Sequence, residues 1–106
     1  MISMDDVLEK IEYENIEGEK TDHKATIYAL STCAFCRKAI NFVRDNNVAF
    51  RYVYLDKIPL ETKKEVKAEL KSRYKNLPVF PVLVVDDDKA LSGFTESQWK
   101  EALDIS

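Results

Sequence analysis

The chain carries two cysteines, and both stand in one run, Cys33-Ala34-Phe35-Cys36. A disulfide across so short a loop barely constrains the unfolded chain, so the pair is not a structural staple. In a reducing compartment such a pair points to redox or metal chemistry instead. Its surroundings are specific. Lys24 to Leu30 reads as a strand, and Cys36, Ala39, Ile40 and Val43 share one face of a helix running to about Asn46. This context puts Cys33 at or just before a helix N-terminus. There the free N–H groups of the first turn and the positive end of the helix dipole favour an anion. A thiolate is that anion, so the Cys33 thiol is expected to ionise below the free value of about 8.5. Cys36 lies one turn further in and is expected to be more buried. Cys33 is therefore read as the attacking nucleophile and Cys36 as the resolving thiol.

The competing reading is metal. Structural zinc usually takes four ligands, and the chain offers two cysteines and one histidine, His23, in a polar stretch. An intramolecular site would need carboxylates. A zinc or iron–sulfur group bridging a dimer stays open as the alternative, and so does a non-catalytic adaptor.

The 106 residues fit one core. A formal net charge of −3 argues against nucleic acid as a partner. No apolar run approaches the roughly 18–20 residues of a membrane span. The start, Met1-Ile2-Ser3-Met4-Asp5-Asp6, does not lead a basic segment into an apolar one. A cytoplasmic monomer, with no nucleic-acid or membrane partner, is the expectation.

Met4, Val7, Leu8 and Ile11 form a helical stripe within residues 3–12, and 13–23 reads as a polar connector. Phe50 to Leu55 is a second strand. Pro59 suits the first turn of a helix reaching about Tyr74. Val79 to Val85 is the most continuous apolar run and reads as a strand buried on both faces. Asp86-Asp87-Asp88-Lys89 is a solvated turn before a short strand, Ala90-Leu91-Ser92. Thr95 and Gln98 match a capping box for a last helix over about 96–103. The order is α-β-α-β-α-β-β-α. A right-handed β-α-β crossover makes the first two strands parallel, and the tight turn makes the last two antiparallel. After the first helix this is the order of the thioredoxin fold: α/β, a four-stranded mixed sheet flanked by helices, with an extra N-terminal helix.

Pro81 sits where a buried strand should begin, a position that disfavours proline. A cis Phe80–Pro81 bond resolves the conflict.

Together these segments resemble the glutaredoxin family, including its NrdH-redoxin branch. Tyr28 to Cys36 resembles the family's active-site segment, Phe80-Pro81 its cis-proline, and Ser92-Gly93-Phe94-Thr95 its glycine turn before the last helix. The resemblance covers about residues 24–103. It divides the chain into an N-terminal helix and connector (1–23) and a glutaredoxin-like domain (24–106). It implies a dithiol oxidoreductase that carries electrons to protein or small-molecule disulfides. It implies that the Phe80 backbone pairs with a bound thiol substrate, that Gly93, Phe94 and Thr95 border the same groove, and that no cofactor is tightly held. Phe35, between the cysteines, is expected to be exposed where it can touch substrates. The family's lysine three residues before the first cysteine is here Leu30. The polar residue before the cis-proline falls on Leu77 or Pro78, and the aspartate pair becomes Thr95-Glu96. Three anchors for glutathione are thus missing or weakened, and an external thiol or a thioredoxin-reductase-like enzyme is the expected electron donor. Lys63, Lys64, Lys67, Lys71, Arg73 and Lys75 make one helix basic, read as a solvated face with a docking patch for an acidic reductase as the alternative.

Overall fold

A computed structural model describes residues 8, 11–74 and 79–105. Five strands, β1 (Glu14–Ile16), β2 (Ala25–Ala29), β3 (Phe50–Tyr54), β4 (Val82–Val85) and β5 (Lys89–Ser92), form one sheet in the order β1-β3-β2-β4-β5. Helices α1 (Ala34–Asp45), α2 (Leu60–Tyr74) and α3 (Glu96–Ala102) flank it, and a 3-10 turn, Leu55–Lys57, follows β3. β2 runs parallel to β3 and antiparallel to β4, and β4 pairs antiparallel with β5.

The central strands carry apolar side chains on both faces because both faces are covered. Ala25, Ile27, Ala29, Leu83 and Val85 face one core with Ala39, Ile40 and Val43 of α1 and Trp99 and Ala102 of α3. Tyr28, Val82 and Val84 face the other with Val66 and Leu70 of α2. Thr26 is buried on the second face, where its Oγ1 accepts the Arg51 Nε–H at 2.9 Å.

The sheet has five strands, not four. The fifth, β1, lies in the stretch read as a connector. Glu14, Asn15 and Ile16 pair antiparallel with Tyr52, Arg51 and Phe50. β1 is an edge strand with two polar residues of three, so it has no apolar alternation to announce it, and polar residues on an edge discourage further pairing. Its neighbourhood is tied down by side chains: the Arg51 guanidinium lies 3.9 Å from the Tyr13 ring centroid. Downstream, Lys20 exchanges backbone hydrogen bonds with Asn47 and Ala49.

Three other differences are local. Leu55 begins the 3-10 turn instead of ending β3. β4 starts at Val82, because the Val79 N–H and C=O are both taken by the Ser92 Oγ, at 3.0 and 2.7 Å. Thr95 is the N-cap of α3, but its side chain makes no capping bond; the start of α3 is held by buried Trp99, whose Nε1–H donates to the Gly93 carbonyl at 3.0 Å. Met4 and Val7 of the N-terminal stripe lie outside the described residues, as do Lys75, Leu77 and Pro78. Leu8 and Ile11 are buried against the α2-side core.

Candidate functional site

β2 ends at Ala29, and the chain turns over Leu30–Thr32 into α1. Cys33 is the N-cap of that helix, in extended conformation (φ −100°, ψ 118°), and its Sγ accepts the Cys36 N–H at 3.2 Å. The sulfur thus takes the place that a serine or aspartate oxygen usually fills at this position. The first turn of α1 holds no acidic residue, so nothing within it offsets the positive helix end. Both thiols are free; Cys33 is half-buried and Cys36 wholly buried. Burial pushes the Cys36 thiol up to about 12, helped by its hydrogen bond with Cys33 and opposed by the Leu30 N–H, which donates to Cys36 Sγ at 3.5 Å.

The second wall comes from β4 and β5. The Phe80–Pro81 peptide is cis. Tyr28 pairs with Val82 across antiparallel strands, so Pro81 lies level with the end of β2, where the chain turns towards Cys33. The Gly93 N–H donates to the Pro81 carbonyl at 2.8 Å. Gly93 has φ +83°, a region that glycine enters without strain. The Phe94 ring packs at 5.4 Å from Phe42 and 5.1 Å from Trp99, bracing the turn, and Thr95 is exposed beside it. Phe35 is 63% exposed and Val79 is 52% exposed.

Two further groups hold the site and carry no motif. Asp56, in the 3-10 turn, accepts the Ser31 N–H at 2.9 Å and the Ser31 hydroxyl at 2.5 Å. Those bonds keep its carboxyl below the usual range, the hydroxyl bond foremost. Arg37 Nη1 donates to the Ser31 carbonyl at 3.2 Å. Every backbone and side-chain polar group of Ser31 is therefore engaged, two residues before Cys33. Ser92 does the same for Val79, one residue before Phe80. Only the register hints at the first contact: Ile27 pairs with Tyr52 on the parallel strand β3, and Ser31 and Asp56 each lie four positions further on.

Among the described residues no group of three or more His, Cys, Asp or Glu side chains is disposed to hold a metal ion. His23 is engaged elsewhere. Its Nδ1 lies 2.6 Å from Asp86 Oδ2 and its Nε2 lies 2.7 Å from Asp104 Oδ2. The Asp86–Asp88 turn is thus more than solvated: Asp86 also accepts the Lys24 N–H at 2.8 Å.

The glutaredoxin family model matches residues 25–89. The chain belongs to the glutaredoxin family. Among solved structures, it is 31% identical to a glutaredoxin from Methanosarcina mazei Go1, with a TM-score of 0.76 and 88% of each chain covered. It is 35% identical to a methanoredoxin from Methanosarcina acetivorans, with a TM-score of 0.74, covering 81% of this chain and 88% of that one. A glutaredoxin from Archaeoglobus fulgidus is 29% identical, with a TM-score of 0.68, covering 77% of this chain and 87% of that one. A search of curated proteins gave no match. Family and fold together make this a thioredoxin-fold redox protein. No helix among the described residues is long and apolar enough to cross a membrane.

Proposed function

We propose that this glutaredoxin-family chain is a dithiol oxidoreductase that reduces protein or small-molecule disulfides. The observation that carries the reading is the Cys33 sulfur at the N-cap of α1, within hydrogen-bond reach of the buried Cys36. The Cys33 thiolate attacks one sulfur of the substrate disulfide. That bond breaks, a Cys33–substrate mixed disulfide forms, and the first substrate thiolate leaves and takes up a proton. Cys36 then gives up its proton and attacks the Cys33 sulfur, and the second substrate thiolate departs and is protonated. The substrate gains two electrons and two protons, and the protein keeps a Cys33–Cys36 disulfide. The Phe80 backbone offers the substrate an extended edge, since Ser92 occupies Val79 and leaves Phe80 unpaired among the described residues. Phe35, Pro81, Gly93, Phe94 and Thr95 complete the groove. Leu30, where a lysine would meet a glutathione carboxylate, favours a reductase enzyme or another small thiol as electron donor.

Steady-state reduction of insulin and of hydroxyethyl disulfide, with dithiothreitol as donor, tests this. Cys33→Ser is expected to abolish turnover, and Cys36→Ser to stall after the first exchange on protein disulfides. Full activity of Cys33→Ser would overturn the assignment.

A further inference from the structure

The charges of α2 are sorted rather than mixed. Lys63, Lys67 and Lys71 stand in one column at i, i+4, with Lys64 beside it, while Glu61, Glu65 and Glu69 form a second column. A merely solvated helix gains from opposite charges at this spacing and loses from like ones. Here the Glu69–Arg73 pair, at 2.7 Å, joins unlike charges along the helix, whereas Lys63, Lys64, Lys67 and Lys71 pair with no carboxylate among the described residues. The like charges at this spacing work against the helix, although Glu61 in its first turn and Lys71 and Arg73 in its last suit the helix dipole.

The lysine column reaches the cis-proline side of the site through Lys67. Lys67 Nζ lies 5.7 Å from the centroid of the Phe80 ring, next to Pro81. Lys38 Nζ lies 5.7 Å from the exposed Phe35 ring. Leu60, 63% exposed, begins the same face of α2. The Asp56 carboxylate, by the loop before Cys33, is already held by Ser31. The chain as a whole is −3, so this cationic and apolar surface is set against the charge of the molecule. From Lys63 to Lys71 the column extends about 12 Å along the helix. Of the column, Lys67 is the lysine seated over the Phe80 ring, so a partner that also engages Lys63 and Lys71 must be longer than a small disulfide.

We propose that the lysine column of α2 docks an acidic protein that exchanges its disulfide with Cys33. This rests on the dithiol reading above and names the partner's chemistry. Carboxylates of the partner lie along Lys63, Lys67 and Lys71, and its apolar groups meet Phe35 and Leu60. The exchange is the two-electron, two-proton transfer already described, so docking adds no reactant.

Two disulfide peptides, identical but for a flanking run of glutamate or lysine, serve as probes, with hydroxyethyl disulfide as the neutral reference. At low ionic strength the glutamate peptide is expected to show roughly tenfold higher kcat/KM than the lysine peptide, the gap closing in high salt. Lys63→Glu/Lys71→Glu is expected to close or reverse the gap while leaving the neutral disulfide unchanged, with Lys63→Gln/Lys71→Gln intermediate. Lys71 is exposed and Lys63 half-buried, and circular dichroism checks the helix. A glutamate peptide with serine for cysteine, followed by fluorescence anisotropy, reads docking apart from chemistry. It is expected to bind the wild type and not the Glu variant. Loss of neutral-disulfide turnover with this binding intact would count against the dithiol reading alone. Equal kcat/KM and equal binding for the two peptides would overturn the docking surface. A small dicarboxylate disulfide as sensitive to Lys63 and Lys71 as the peptide would also overturn it.

Discussion

A thiol with no solvent contact holds its proton, and Cys36 is such a thiol. Its rise from 9.0 to about 12 is led by burial. The folded protein therefore binds this proton more tightly than the unfolded chain does. The stability that comes from it is fully present below about pH 9 and is lost as the pH rises towards about 12. Urea unfolding of the reduced protein from pH 8 to 11 should show a steeper loss of stability for wild type than for Cys36→Ser. At neutral pH iodoacetamide should modify Cys33 and spare Cys36, as peptide mapping would show. Asp56 acts at the same scale. Asp56→Ala releases both bonds to Ser31, and the loop before Cys33 loses its anchor. A fall in kcat/KM of roughly three- to tenfold is expected, through misplacement of Cys33, the proposed nucleophile. An unchanged kcat/KM would show that Arg37 alone suffices to hold Ser31.

At the scale of elements, the close approach of Gly18 to the α1–β3 connection deserves a test of its own. A Cβ there would meet Val48 C at 2.6 Å and Ala49 N and Asn47 O at 2.7 Å, all backbone atoms. Gly18→Ala must push that connection away, and a loss of about 1–3 kcal/mol is expected in urea unfolding. The elements differ in how far their residues announce them. β2 and β4 were legible because burial on both faces demands unbroken apolar runs. α1 was legible from its apolar spacing, and α2 from Pro59, whose carbonyl accepts the Lys63 N–H at 2.9 Å. β1 was not, because its pairing rests on backbone bonds and on Gly18 and Tyr13, which lie outside its three residues. The site divides in the same way. Cys33, Cys36, Pro81 and Gly93 carry local conformational demands that show in a linear sequence. Asp56, Ser31 and Ser92 are polar residues of ordinary type, and their significance comes from tertiary contacts between distant segments.

For the molecule as a whole, His23 joins the segment before β2 to the β4–β5 turn and to the chain after α3. Its bond to Asp104, then that to Asp86, raises its pKa above 6.5. Asp86 is held below the usual carboxylate range, first by the Lys24 N–H and then by His23. Protonated His23 favours the folded state, so this contribution is complete below about pH 6.5 and is lost as the pH rises through the raised value. The advantage of wild type over His23→Gln in thermal unfolding should therefore shrink between pH 6 and 9. A constant difference would mean that the clasp does not titrate with folding. The clasp gathers the beginnings of β2 and β5, and the dithiol sits beyond the other end of β2. The dithiol end is shaped by other contacts, those of Asp56 and Arg37 with Ser31, of Ser92 with Val79 and of Gly93 with Pro81.

The most direct test of the central claim is the mixed disulfide itself. Cys36→Ser, reduced and then mixed with hydroxyethyl disulfide, should gain one mercaptoethanol adduct by intact mass. Peptide mapping should place it on Cys33, while wild type under the same conditions should end as an adduct-free Cys33–Cys36 disulfide. An adduct persisting on wild-type Cys33, or no adduct on the variant, would contradict the assignment of Cys33 as nucleophile and Cys36 as the thiol that releases the product.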